Sequence, residues 1–213
     1  MGCINDIFYN EYMISQKAAT FIILHEVGSK SYYERFLQKP TWPKGESGLT
    51  VGFGYDLGYQ TEKQFLKDWS GVINLNFVNA LRRFIGVKGE KVVPMMKGEV
   101  MNVRIPYLAA YEVFIKCQLP RYYKLTKDIY PELETLNEDT QGALVSMVFN
   151  RGNKLEGDSR KEMKAIVNLV AKQDYEGIAE QVEASKRLWE GKKMEGLVTR
   201  REAESDLIRD SIA

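Results

Sequence analysis

Residues 49–58 read Leu49-Thr50-Val51-Gly52-Phe53-Gly54-Tyr55-Asp56-Leu57-Gly58. Leu49, Val51, Phe53, Tyr55 and Leu57 alternate with Thr50, Gly52, Gly54, Asp56 and Gly58. A period of two is extended chain, with one bulky face and one small or polar face. Thr50 and Asp56 share the second face. In a straight strand they would lie about 20 Å apart. They meet only if the chain doubles back, and Gly52 and Gly54 accept the positive φ that a tight hairpin needs. A hairpin turning near Phe53 puts Asp56 opposite Thr50.

Around this segment the chain changes character. Residues 29–60 hold Pro40, Pro43, Gly45, Gly48 and the glycines above, which reads as a loop-and-strand lobe. Residues 1–28 read as helix, with Ala18, Ala19, Phe21, Ile22 and Ile23 at helical spacing and Gly28 as a stop. Helix resumes at Thr61-Glu62-Lys63-Gln64, which fits a capping box. Thr140 to Arg151 is apolar over much of its circumference, as a central buried helix is, and Gly152 suits its end. Residues 159–172, 174–188 and 197–210 read as three further helices. The expected fold class is α+β and mostly α-helical. A small β-hairpin lobe (29–60) is set in a larger helical body (1–28 and 61–213) around a buried central helix, all one domain over 1–213.

Composition narrows the function. The chain has 213 residues, 44% hydrophobic and 28% charged, which excludes wholesale disorder, collagen-like repeats and a disulfide scaffold. Lys plus Arg is 30 against 29 acids, a net charge of +1, so global charge gives no argument for nucleic acid. Residues 82–104 carry a local excess of +4 from six Lys/Arg and two Glu, enough to attract an anionic polymer or to form a solvated face. No apolar run approaches the roughly 18–20 residues of a membrane span and no secretory signal is visible, so stable membrane insertion is not expected. Cys3 and Cys117 read as two unpaired thiols, with a lipidated Cys3 as the alternative. His25 is the only histidine, so no zinc set is visible. Gly52-x-Gly54-x-x-x-Gly58 misses the dinucleotide spacing by one residue and lacks a βαβ setting. Neither metal nor organic cofactor is called for.

Glu26 is the second candidate. Ala19, Ile22 and Glu26 form one helical stripe. A carboxyl at the end of an apolar stripe is partly desolvated and holds its proton longer, as a general acid must.

His25-Glu26, then tyrosines, then Gly48-Leu49-Thr50-Val51-Gly52-Phe53-Gly54-Tyr55 resembles the active-site segment of phage-type lysozymes. Those enzymes place a Glu at the end of a first helix and a Thr in a T-x-G-x-G hairpin. Gly142 to Gly152 is similar to their buried central helix, and Leu188-Trp189 followed by Gly196-Leu197-Val198-Thr199-Arg200-Arg201 is similar to their closing segment. The resemblance runs in order from about residue 18 to 208. One departure concerns the second carboxylate: many such enzymes have an Asp six residues before the Thr, and here that position is Lys44. In pesticin-like muramidases the Asp follows the Thr on the returning strand, which Asp56 matches. Glu46 and Glu34 are the other candidates.

The resemblance implies a peptidoglycan hydrolase, a glycosidase of lysozyme type that cleaves the β-1,4 bond between N-acetylmuramic acid and N-acetylglucosamine. Glu26 would be the acid, Thr50 would hold the attacking water, and Asp56 would stand ionised in a wetter place to orient or deprotonate that water. Trp42 and Tyr55, with Tyr32 and Tyr33, are candidates to stack on sugars, and Asn150 and Arg151 to reach substrate from the end of the central helix. Trp189, Arg200 and Arg201 read as structural. The expected partners are peptidoglycan glycan strands, and an immunity or inhibitor protein; the chain reads as a monomer that acts in the periplasm or outside the cell, reached by phage or secretion-system delivery or as a truncated lipoprotein. A chitinase-like hydrolase and a lysozyme-like module that binds glycan or a partner without cleaving it remain alternatives.

Overall fold

The structure is a computed structural model that describes residues 14–213; the readings that fall on residues 1–13, Cys3 among them, lie outside the described residues. The chain divides into two compact units. A hairpin unit comprises Ile23–Leu119, and a helical unit comprises residues 14–22 together with Pro120–Ala213. The predicted class is the observed one: mostly helical, with one small antiparallel sheet. Among the described residues no helix is long and apolar enough to cross a membrane.

Helix α1 (Gln16–Val27) stops where the sequence says it should. Gly28 takes φ +72° and its amide donates to the Leu24 carbonyl at 2.7 Å, a left-handed helix end that glycine enters without steric cost. The next residues differ from expectation. Lys30–Tyr32 form a short helix, α2, which runs into a π-helical turn over Tyr33–Leu37. Ser29 caps it by accepting from the Tyr32 amide at 3.1 Å. The prolines and glycines that mark irregular chain begin only at Pro40, so residues 30–37 hold nothing to break a helix.

Strands β1 (Thr50–Val51) and β2 (Tyr55–Asp56) pair antiparallel, with Thr50 opposite Asp56 and Val51 opposite Tyr55. Leu49, Val51, Phe53, Tyr55 and Leu57 are all buried, so the bulky face of the alternation is the core face. Gly52 and Gly54 make the turn at φ +58° and +69°. The unit continues through α3 (Glu62–Trp69), α4 (Leu75–Arg82) and α5 (Tyr107–Val113). Thr61 accepts from the Gln64 amide at 3.2 Å, the capping bond predicted. Two short 3-10 segments, Gly89–Met95 and Gly98–Asn102, fill the stretch between α4 and α5.

The helical unit holds α6 (Leu119–Ile129), α7 (Glu138–Arg151), α8 (Lys161–Ala171), α9 (Tyr175–Ala184) and α10 (Glu195–Asp210). The division between units falls within α1 and at the start of α6. Helix α7 starts two residues earlier than predicted because Asn137 caps it, accepting from the Thr140 amide at 2.9 Å. Every residue from Thr140 to Val148 is buried, as a helix apolar on all sides must be. Glu204 of α10 is buried and accepts from Ser146 at 2.6 Å and Arg201 at 2.6 Å. Arg200 and Arg201 therefore belong to the interior of this unit, and Trp189 is half-buried with its ring near the Arg201 guanidinium.

A close approach fixes α7. A Cβ placed on Gly142 would collide with the Cβ of Ala18, itself fully buried. Gly142→Ala gains about 1 kcal/mol of helix propensity but overpacks a filled site at about 1–3 kcal/mol. Net destabilisation of up to about 2 kcal/mol is expected, with a Tm lower by up to about 8 °C at this chain length. Thermal unfolding of the variant measures it.

Candidate active site

The hairpin unit alone holds Glu26, Thr50 and Asp56. Glu26 lies one residue before the end of α1 and is half-buried, as is His25. On its stripe, Ala19 and Ile22 are buried.

Thr50 is held on both sides. It exchanges two backbone bonds with Thr41, at 2.8 and 2.9 Å, and pairs with Asp56 on the other flank. The result is a narrow strip of extended chain with Thr50 in the middle. Thr50 is half-buried, and among the described residues its hydroxyl has one bond, a long one of 3.5 Å to the Gly48 carbonyl. A bond that long is weak, so the hydroxyl remains available to another partner.

Asp56 is more enclosed than the sequence suggested. Its carboxylate accepts from the Gly48 amide at 2.9 and 3.2 Å and from the Gly58 amide at 2.8 Å. Burial raises its pKa above the ordinary aspartate value; the Gly58 and Gly48 amides and the charge of Lys88 pull the other way without cancelling it. This clamp explains the two glycines. A Cβ on Gly48 would stand 2.5 Å from the Gly58 Cα and 2.6 Å from the Asp56 Oδ1, and one on Gly58 would stand 2.8 Å from the Gly48 Cα. Asp56 thus ties the segment before β1 to the segment after β2. Nothing local in the sequence announces the bond to Gly48, because the two residues are eight apart and the contact exists only after the hairpin forms.

The rival acids are placed differently. Glu34 is exposed and pairs with Lys30 at 3.8 Å, and Glu46 is exposed. Lys44 stands in a left-handed turn at φ +78° beside Gly45. Trp42 is half-buried, and its indole N–H donates to the Ser47 carbonyl at 3.0 Å, closing that turn. Among Glu34, Glu46 and Asp56, only Asp56 stands in register with Thr50.

A model of the phage lysozyme family matches residues 85–204. The chain belongs to the phage lysozyme family. It is accordingly a lysozyme-like peptidoglycan hydrolase, a glycoside hydrolase that acts on the cell wall. The matched stretch takes in the helical unit from α6 to most of α10, and leaves Glu26, Thr50 and Asp56 outside it. A search of the curated proteins found no match.

Three sugar-binding expectations for this lysozyme need correction. Tyr55 is 1% exposed, its hydroxyl donates to Asp68 at 2.8 Å, and its ring meets Trp69 edge-on at 5.5 Å. It belongs to the bulky face of the alternation and so to the core, and offers no face to a glycan. Tyr33, at the start of the π-helical turn, is buried as well, its ring edge-on to Phe53 and Tyr107 and its hydroxyl donating to the Ile105 carbonyl at 3.0 Å. Arg151 does not extend outward from the end of α7. It is 8% exposed, and its guanidinium donates to the Ser159 carbonyl. Asn150, one residue earlier, is exposed, as are Tyr32 and Phe36. Asp68, which accepts from both Tyr55 and Gln64 at 2.8 and 2.7 Å, was not singled out in the sequence; the Gln64–Asp68 spacing of four on one helix was the available signal.

Asp56→Ala strips two backbone amides of their acceptor. A loss of about 2 kcal/mol is expected, seen as a Tm lower by about 4–8 °C. Asp56→Asn keeps one acceptor oxygen and loses less. The pH dependence has a definite sign. A carboxyl whose folded pKa is raised contributes stability below its unfolded pKa and loses it as pH rises through the folded one. Wild type should therefore lose stability relative to Asp56→Asn as pH rises from about 3.5 to 7, measured by urea midpoints at the two ends.

Proposed function

We propose that this lysozyme is a muramidase that cleaves the β-1,4 bond between N-acetylmuramic acid and N-acetylglucosamine, with Glu26 as general acid. Glu26 protonates the departing glycosidic oxygen. Thr50 holds the attacking water, and Asp56 orients it or takes its proton while positive charge develops on the sugar ring. The observation that carries this reading is the register of Thr50 against Asp56 on the polar face of a hairpin whose other face is core. That arrangement leaves a hydroxyl and a carboxylate together and half-exposed, with the half-buried Glu26 in the same unit.

The environment of Asp56 supports a basic role. A carboxylate with a raised pKa binds a proton more readily than a solvated one, as a general base needs. Its second oxygen carries only the 3.2 Å bond to Gly48, and a carboxylate oxygen has room for further donors. Two carboxyl groups in unlike settings are the general requirement for this chemistry. A water-holding Thr favours inversion at the anomeric carbon. The exposed Tyr32 and half-buried Trp42 are the aromatic candidates left for sugar stacking in this unit.

One observation favours a second reading. Lys44 occupies the place where many phage lysozymes have an Asp, and Asp56 is already engaged by two amides. A module that binds glycan without cleaving it would tolerate both.

Product analysis separates the two. Purified peptidoglycan is incubated with wild type, Glu26→Gln, Thr50→Ala and Asp56→Asn, and the soluble fragments are read by mass spectrometry. Fragments ending in reducing N-acetylmuramic acid are expected from wild type. Glu26→Gln should lower the rate by about 10²–10⁴-fold with the Tm unchanged. Full activity in Glu26→Gln would overturn the assignment of the acid, and full activity in Asp56→Asn that of the second carboxylate. Co-sedimentation with peptidoglycan but no release by wild type would establish the binding module instead.

A further inference from the structure

The helical unit contains a cavity of about 420 Å³ bordered by Asn150, Arg151, Ser159, Arg160 and Trp189, with Leu188 and Leu197 beside them. Two guanidiniums line it, and among the described residues neither has a carboxylate within ion-pairing distance. Arg151 is 8% exposed. It gives one N–H to the Ser159 carbonyl, while its Nη1 is buried with no hydrogen-bond partner. Arg160 gives an N–H to the Arg151 carbonyl at 2.5 Å and rests its Nη1 3.8 Å from the Met163 sulfur.

The nearby acids are committed elsewhere. Glu162 pairs with Arg187 at 2.5 Å, and Arg187 also reaches Asp158 at 3.0 Å. Glu204 pairs with Arg201 at 2.6 Å and Arg200 at 3.3 Å. Arg151 feels Glu162 and Glu204 only at a distance. Burial, then Arg160 and Arg201, push its pKa down to about 10. A buried cation without a counter-charge is costly in proteins generally. The usual remedy is a carboxylate from the same chain, and Arg151 instead borders a cavity that Arg160 also lines.

The structure assigns to this cavity, we propose, the binding of an oxyanion, carboxylate or phosphate, between Arg151 and Arg160, with the group that carries it lying against the Trp189 indole. A guanidinium pairs with either anion through two parallel N–H bonds. Ser159 and Asn150 add polar atoms at the rim. The Arg151 guanidinium carbon lies 5.2 Å from the Trp189 ring centre, so the indole fixes the cation from one side. The volume is in the range of small-molecule sites, roughly 300–1,000 Å³, and exceeds what a bare ion needs. The inference does not rest on the muramidase reading, since a module that only binds glycan would carry the same cavity.

The test titrates the full chain with inorganic phosphate and, separately, with acetate at constant ionic strength. The readout is the indole N–H resonance of Trp189, identified by its loss in Trp189→Phe. A saturable shift with a Kd below about 20 mM (near −2.3 kcal/mol) is expected for at least one anion. The stronger of the two says whether the group is a phosphate or a carboxylate. Arg160→Gln should weaken binding about tenfold or more, with a Tm within a few degrees of wild type, because Arg160 is only half-buried. Arg151→Gln should do the same, and if it fails to fold, the Arg160 variant decides alone. A linear, unsaturable shift of equal size in wild type and Arg160→Gln overturns the proposal.

Discussion

Phe53 sits at the tip of the turn between β1 and β2, in the least protected part of any hairpin, and is fully buried. Its ring meets Tyr33 edge-on at 5.2 Å and lies 5.1 Å from Tyr107 and 6.0 Å from Phe114. Gln118 donates to its carbonyl at 3.1 Å. A two-residue-strand hairpin is marginal by itself in water, so its shape has to be imposed by what it packs on. The aromatic cluster does this, with about 0.5–1.5 kcal/mol per ring pair beyond the area buried. Once Phe53 is seated, the parity of the strand places Thr50 and Asp56 on the opposite face. The candidate chemistry is thus the complement of a packing problem: the polar face is where it is because the bulky face has one place to go.

Much of this could be read before any coordinates. The period of two over residues 49–58 yielded the turn, the register and the sharing of a face, because strand geometry is local. The same pattern contained the correction to Tyr55, which alternates in step with Phe53 and Leu57 and was bound to be core. The helix ends at Gly28 and Gly152 were legible for a similar reason, since a left-handed residue after an apolar run has few alternatives. The π turn over 33–37 was not, because nothing in its composition distinguishes a π turn from ordinary helix. The Asp56–Gly48 clamp and the inward turn of Arg151 were not legible either. Each depends on a partner that only folding brings near, Gly48 in one case and Ser159 in the other.

The family match and the candidate chemistry occupy different parts of the chain. The match covers 85–204, where a buried helix and a Ser146–Glu204–Arg201 network hold a dense core. Such interiors restrict substitution at many positions at once. The hairpin segment carries its constraints in fewer residues. There the demand falls on a handful of shapes, a Thr on the polar face, an Asp opposite it, and glycines where the chain crosses itself.

The crossing at Gly48 and Gly58 turns that handful into a usable pattern. Neither position has room for a methyl group, and the obstacle at each is the backbone of the other. A change at one can be accepted only if the two strands part, which would also break the amide clamp on Asp56. The two sites are therefore bound together over descent as well as in space. The string Gly48-x-Thr50, five residues, Asp56-x-Gly58 is short, but each of its four letters is demanded by a stated physical reason. It offers a way to trace kin of this chain through the very region where the overall likeness to its family fades.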